Sequence, residues 1–262
     1  MSDLDDVKRL LDTMDEQQRR KVFVYLRSLL PPHPVEERLM ISAEGMLDAL
    51  DRAGDFTVRM IRGVFAEAAF ATDVLPTISD RWRLVPRTGD PPYDFLLTDF
   101  PSNKVPPEGF AHPTVKLQVK MQRSKGKHPL HANEVWTKRV KWPATHYVVE
   151  LQKSRKGERK GESTRPYRFG EFDLVAVSLG PSRGRWSVFT YTVARWLLPD
   201  PANEKNILLY QPVAPEENDC WTSDFDRAVE WLRSEVERRI DGDIPKLATP
   251  RKRRGTPRRK QA

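Results

Sequence analysis

The sequence predicts an α/β protein with a helical N-terminal region, and three observations carry that expectation. Apolar residues recur at helical spacing through residues 1–75, β-prone runs bounded by Pro, Gly and Lys fill 82–213, and 225–240 returns to an amphipathic helical pattern. A chain of 262 residues is long enough for one large core with an appended helical piece. The expected organisation is a helical region over 1–55, a sheet-containing core over 56–215, a C-terminal helix within 216–245 and a basic disordered tail over 246–262.

The helices come first. Leu4, Val7, Leu10, Leu11 and Met14 mark one amphipathic segment, and Val22, Leu26, Leu29 and Leu30 mark a second that Pro31, Pro32 and Pro34 end. Ser42 caps a third, with Met46, Leu47 and Leu50 as its apolar face, and Gly54-Asp55 breaks it. A fourth is expected over 57–71, with Ile61, Val64, Phe65, Ala68 and Ala69 turned inward. Strands are expected at 93–97, 114–121, 146–151, 172–179 and 186–191. In the second of these, Val115, Leu117, Val119 and Met121 form a core face, which leaves Gln118 and Lys120 together on the other. The last helix presents Phe225, Ala228, Val229, Leu232, Val236 and Ile240 on one side, with Asp224 as its cap.

Charge is unevenly placed. The net charge is +8, of which seven units lie in 250–262, so the remainder carries about +1. Within that remainder, Lys116–Lys160 holds thirteen basic residues against Glu134, Glu150 and Glu158. Such segregation is the footprint of a protein that grips a polyanion. One cysteine excludes a disulfide framework and suits a reducing, cytoplasmic setting. No run of eighteen apolar residues is present, so no membrane partner is expected. His128 and His131 lack a third zinc ligand nearby, and no phosphate-binding or dinucleotide loop and no nucleophile elbow occurs.

The chemistry is expected in three places. Asp94 opens a hydrophobic strand after Pro91-Pro92-Tyr93, and Gln118-Val119-Lys120 lies on the next strand. Glu67 sits on the helix that precedes both. Asp94 and Glu67 offer hard oxygens to Mg²⁺, and Gln118 can add its amide oxygen or hold a metal-bound water. Lys120 can then orient that water and stabilise developing negative charge. Asp173 and Glu171 read as polar strand-start residues, and Glu150 as an exposed or lysine-paired one.

Asp94, Gln118-x-Lys120 and the upstream helical Glu67 together resemble the core of the PD-(D/E)XK nuclease superfamily, the fold of many type II restriction endonucleases. The resemblance spans about residues 57–200 and implies a restriction-endonuclease-like mixed sheet flanked by helices, with the Asp and the acidic-x-Lys on neighbouring strands. Tyr93 stands where that family has proline, and Gln118 where it has an acid. The Gln-Val-Lys form is similar to the subgroup of transposon-end and intron-homing endonucleases, and Tyr167–Val177 resembles that subgroup's third core strand. The implied activity is Mg²⁺-dependent cleavage of double-stranded DNA by a homodimer, with Asp94, Gln118, Lys120 and Glu67 catalytic and Asp94, Glu67 and Gln118 at the metal.

The basic side chains expected on DNA are Arg123, Lys125, Lys127, Lys153, Arg155, Lys156, Arg159, Lys160, Arg251, Arg253 and Arg254. Those of 153–160 and of the tail lie on loops without apolar neighbours, a setting for phosphate contacts rather than base readout. The alternative is a non-catalytic nucleic-acid-binding protein that keeps the nuclease-like fold without the acid at position 118.

Overall fold

The computed structural model describes residues 3–100, 113–126, 128–135, 142–153, 158–159, 162–163 and 165–240. The chain divides into two units, Met1–Val58 and Arg59–Ala262.

The first unit is helical. Helices α1 (Asp3–Thr13), α2 (Glu16–Ser28), α3 (Pro34–Leu39) and α4 (Ala43–Asp51) are followed by α5 (Asp55–Ala69), which runs into the second unit. Local capping explains where they begin. Asp15 accepts from the Gln18 N–H at 2.8 Å while the Gln18 side chain accepts from the Asp15 N–H at 3.0 Å, a closed capping box. Ser42 accepts from the Gly45 N–H at 3.0 Å. Helix α3 was not expected from the sequence, where the proline cluster reads only as a stop. Pro34 instead occupies the first helical turn, where its missing N–H costs nothing, and His33 caps it.

The second unit is built on a five-stranded mixed sheet. Strands β1 (Trp82–Val85), β2 (Phe95–Asp99) and β3 (Thr114–Met121) form an antiparallel meander. A separate strand, β4 (Tyr147–Glu150), precedes β5 (Leu174–Ser178) and β6 (Phe189–Val193). β5 lies parallel to β3 and antiparallel to β6, giving the order β1-β2-β3-β5-β6. β7 (Tyr210–Val213) pairs with β4 in a small second sheet, and α6 (Phe225–Arg233) follows. β5 (LVAVS) is buried along its whole length, as a strand inside a mixed sheet requires. Of the run Tyr167–Val177, only residues 174–177 lie in β5, which is fourth in the sheet order because the unexpected β1 is added at the edge.

Aromatic packing locks helices onto this sheet. Phe70, in the π-helical turn that ends α5, lies 4.9 Å from Phe95, 5.6 Å from Phe189 and 6.5 Å from Phe225, ring centre to ring centre. The inward face of α5 is Ala66, Ala69 and Phe70, whereas Val64, Phe65 and Ala68 are exposed. Ala69 is buried as expected, but Val64, Phe65 and Ala68 are corrected: the two alanines at 66 and 69 let the helix approach closely, and the large side chains rotate outward.

Helix α6 is capped by Asp224 as expected, but it stops at Arg233 rather than Ile240. Arg195 explains the stop. Its guanidinium donates to the carbonyls of Leu232 and Trp231 at 2.9 Å each and of Ser234 at 2.8 Å, satisfying the helix end from outside. Ile240 is still buried, its N–H on the Trp196 carbonyl at 3.1 Å, while Val236 is exposed.

Candidate active site

Register places the first two groups. β2 and β3 pair with Phe95 opposite Leu117, and the Asp94 N–H extends that ladder to the Leu117 carbonyl at 3.0 Å. Asp94 therefore stands opposite Gln118, on the face that Lys120 shares, while Leu117 and Val119 point into the core. Gly89, at φ +73°, turns the chain ahead of Asp94, a conformation that glycine adopts without strain.

Asp94 is held by two donors. The Val119 N–H donates to its Oδ2 at 2.7 Å, so the carboxylate continues the hydrogen bonding of β3 beyond the end of β2. The Gln118 side-chain nitrogen donates to the same oxygen. Gln118 is only 1% exposed, and its nitrogen also reaches the Val119 carbonyl at 3.2 Å. For its amide oxygen to face a cation, the amide would have to turn over. On the other side of β3, Asp173 accepts the Lys116 N–H at 2.8 Å.

The electrostatics join four residues. Burial pushes the Asp94 carboxyl above the usual range, against the opposing pull of Lys120, the Val119 N–H, Arg87 and Gln118. Glu67, half-buried on α5, is pushed up to about 7 by burial and by the Asp94 charge, with Lys120 and Arg87 working the other way. Burial pushes the Lys120 ammonium below the usual lysine range, while Asp94, Glu67 and Glu150 all favour its charge. Glu67, Asp94, Gln118 and Lys120 thus converge from one helix and two neighbouring strands.

The expected DNA-contact residues divide differently. Arg123 is committed to Glu150 at 2.6 Å, so Glu150 is arginine-paired and partly buried rather than exposed. Lys153 is committed to Glu171 at 2.6 Å. Lys125 is exposed at the tip of a short hairpin. Arg159 lies on a two-residue strand, and Lys127, Arg155, Lys156, Lys160, Arg251, Arg253 and Arg254 lie outside the described residues.

Two residues of the site had no functional signal in the sequence. Arg87 acts from the loop before Asp94, where its side chain donates to the Tyr93 carbonyl at 3.1 Å. Tyr167, 4% exposed, lies with its ring centre 5.4 Å from Nζ of both Lys120 and Lys153. It opens the run that resembles a core strand, and only the fold shows what it faces.

Two carboxylates, Asp94 and Glu67, are the oxygen donors present for a divalent cation. Among the described residues no three Asp, Glu, His or Cys side chains gather into a metal-holding group. Magnesium, however, is commonly bound through one or two carboxylates with waters and substrate phosphates completing its shell, and two coupled carboxylates are what Asp94 and Glu67 provide.

Comparison with known proteins returns no family model, no curated protein and no solved structure that matches this chain. Among the described residues, no helix is long and apolar enough to cross a membrane.

Proposed function

We propose that this protein is a Mg²⁺-dependent endonuclease that hydrolyses phosphodiester bonds in double-stranded DNA, a type II restriction enzyme or related defence nuclease with a restriction-endonuclease-like core. One observation carries the reading: Glu67 from α5, Asp94 from the head of β2, and Gln118 and Lys120 from β3 form one electrostatically coupled group. Their order along the chain and their neighbouring strands are those that the PD-(D/E)XK resemblance implies.

Asp94 and Glu67 would hold the cation, with Gln118 beside them. When bound, Mg²⁺ supplies positive charge to the phosphate and lowers the pKa of a water. The residues do the rest. Two donors fix the Asp94 carboxylate before substrate arrives, which removes a reorganisation cost from the reaction. Lys120 is a donor only, so its ammonium can orient the attacking water or bind the phosphate oxygen on which negative charge grows. Lys125 and the basic residues at 155–160 and 251–260 supply phosphate contacts, which makes affinity fall with salt by a log–log slope of about −0.9 per neutralised phosphate. One chain provides one such centre and a duplex has two strands, so the reading includes a homodimer.

A second reading, a binding protein without catalysis, is favoured by the Gln118 nitrogen on Asp94, which occupies an oxygen a cation would use. Supercoiled plasmid separates the two. The nuclease reading predicts nicked or linear DNA with Mg²⁺ and none with EDTA; a salt-sensitive gel shift with no cleavage under either condition would overturn it in favour of binding alone.

A further inference from the structure

We infer that Tyr167 is a positioning residue for Lys120: its buried ring is the platform that holds the lysine ammonium in the cluster with Asp94 and Glu67. The consequence for cleavage rests on the hydrolytic reading above; the geometry does not.

Three carboxylates draw on Lys120: Asp94, Glu67 and Glu150. The lysine stem has four rotatable bonds, so charge alone does not select among them. The ring gives the ammonium a fixed neighbour. Lys120 Nζ lies 5.4 Å from the Tyr167 ring centre, inside the range in which an ammonium is attracted to an aromatic face, and the attraction is strongest where water is excluded. Tyr167 is 4% exposed and meets that condition.

The ring is itself fixed. Phe172 meets it edge to face at 5.2 Å, and the Tyr167 carbonyl accepts the Ile207 N–H at 2.8 Å. A second ammonium, Lys153, lies equally close to the ring, but Glu171 holds it at 2.6 Å. Lys153 therefore completes the cluster without competing for Asp94 and Glu67. Burial also pushes the Tyr167 hydroxyl well above the usual tyrosine range, so the ring stays neutral and never pairs with Lys120 as a phenolate.

The test separates ring electronics from ring shape. Phenylalanine keeps both the shape and the negative face, whereas pentafluorophenylalanine in place of Tyr167 keeps the shape and reverses the field of the face. Single-turnover cleavage at saturating Mg²⁺ and DNA should stay within about threefold of wild type in Tyr167→Phe. It should fall about tenfold with the pentafluoro ring, at unchanged DNA affinity and melting temperature. In protein carrying ¹³C-labelled lysine, the Lys120 ε-methylene signal, assigned by its loss in Lys120→Arg, should be shifted upfield by the ring and return to the random-coil position with Tyr167→Leu. Equal cleavage by the Phe and pentafluoro proteins would overturn the positioning role, as would an ε-methylene signal at the same position in Tyr167→Leu and wild type. If Tyr167→Leu does not fold, the shape-preserving pair still decides. If wild type itself does not cleave, the hydrolytic reading has failed, and the lysine signal alone judges the platform.

Discussion

The two units of this molecule hold themselves together in opposite ways. In the sheet unit Leu97, Leu117, Leu174, Val175 and Trp196 have no measurable exposure, and strands, helices and loops share one continuous core. In the helical unit Leu4, Leu10, Phe23, Val24, Leu26, Leu29 and Leu30 are all exposed, and among its described residues Glu36 alone is buried. Local hydrogen bonding does the organising there. Glu36 accepts from the backbone N–H groups of His33 and Ala43 at 2.7 Å each and pairs with Arg27, tying α2, α3 and α4 to one carboxylate. The difference teaches where chemistry can be built: only a unit with a packed, water-excluding interior can push Glu67 to about 7 and set Asp94 and Lys120 against each other.

The comparison can be broken by substitutions matched across the two units. Leu117→Ala empties a site at the centre of the sheet and should cost about 3 kcal/mol, a fall on the order of 10 °C in the melting temperature of the sheet unit. Leu26→Ala removes the same atoms from an exposed helix and should change stability by about 0.5 kcal/mol or less. Calorimetry on the full chain measures both, and comparable losses would show that the helical unit has a core after all.

A smaller effect of opposite sign is expected at the site. Glu67 binds its proton more tightly in the folded chain than in the unfolded one, so its contribution falls as pH rises from about 4.5 through about 7. Glu67→Gln should therefore raise the melting temperature at pH 8 by on the order of 3 °C, a figure discounted for the solvent that reaches Glu67, and leave it unchanged at pH 4. Cation and proton compete for the same carboxylate, so the Mg²⁺ concentration needed for half-maximal cleavage should drop as pH passes about 7. A requirement constant from pH 6 to 8 would remove Glu67 from the metal site.

The smallest effect tests the helical unit by acid. Backbone N–H groups and Arg27 hold the Glu36 carboxyl down at about 2, so its stabilisation is present above about 4.5 and lost as pH falls through about 2. Far-ultraviolet circular dichroism should show Glu36→Gln less helical than wild type at pH 6 and the two converging at pH 2.

Much of this was legible in the sequence. β3 matches its alternating run, 114–121, end to end, because strict period-two patterning against a core admits one register. Gln118 and Lys120 followed from the same alternation, and Asp94 from its place before a hydrophobic run. The inward face of α5 was legible only at Ala69: Val64 and Phe65 outrank Ala66 in hydrophobicity, and only the closeness of the sheet favours the alanine. The end of α6 was hidden for a similar reason, since Arg195 acts across more than thirty residues of sequence. Arg123 and Lys153 read as solvent-facing phosphate ligands because their partners, Glu150 and Glu171, are brought to them only by folding. Tyr167 was missed because an aromatic residue near a strand predicts packing, and its two lysines come from separate segments of the chain.

The central claim is that Asp94, Glu67, Gln118 and Lys120 form one hydrolytic centre, and Lys120 is its most direct probe. Backbone pairing to β2 and β5 holds β3 in place whatever side chain stands at position 120, so Lys120→Ala should keep the wild-type circular dichroism spectrum and bind duplex DNA within a few-fold of wild type. Single-turnover cleavage with Mg²⁺ should fall by a factor of about 10² to 10³, the cost of removing one donor from developing charge. Folded Lys120→Ala that cleaves at the wild-type rate would contradict the account.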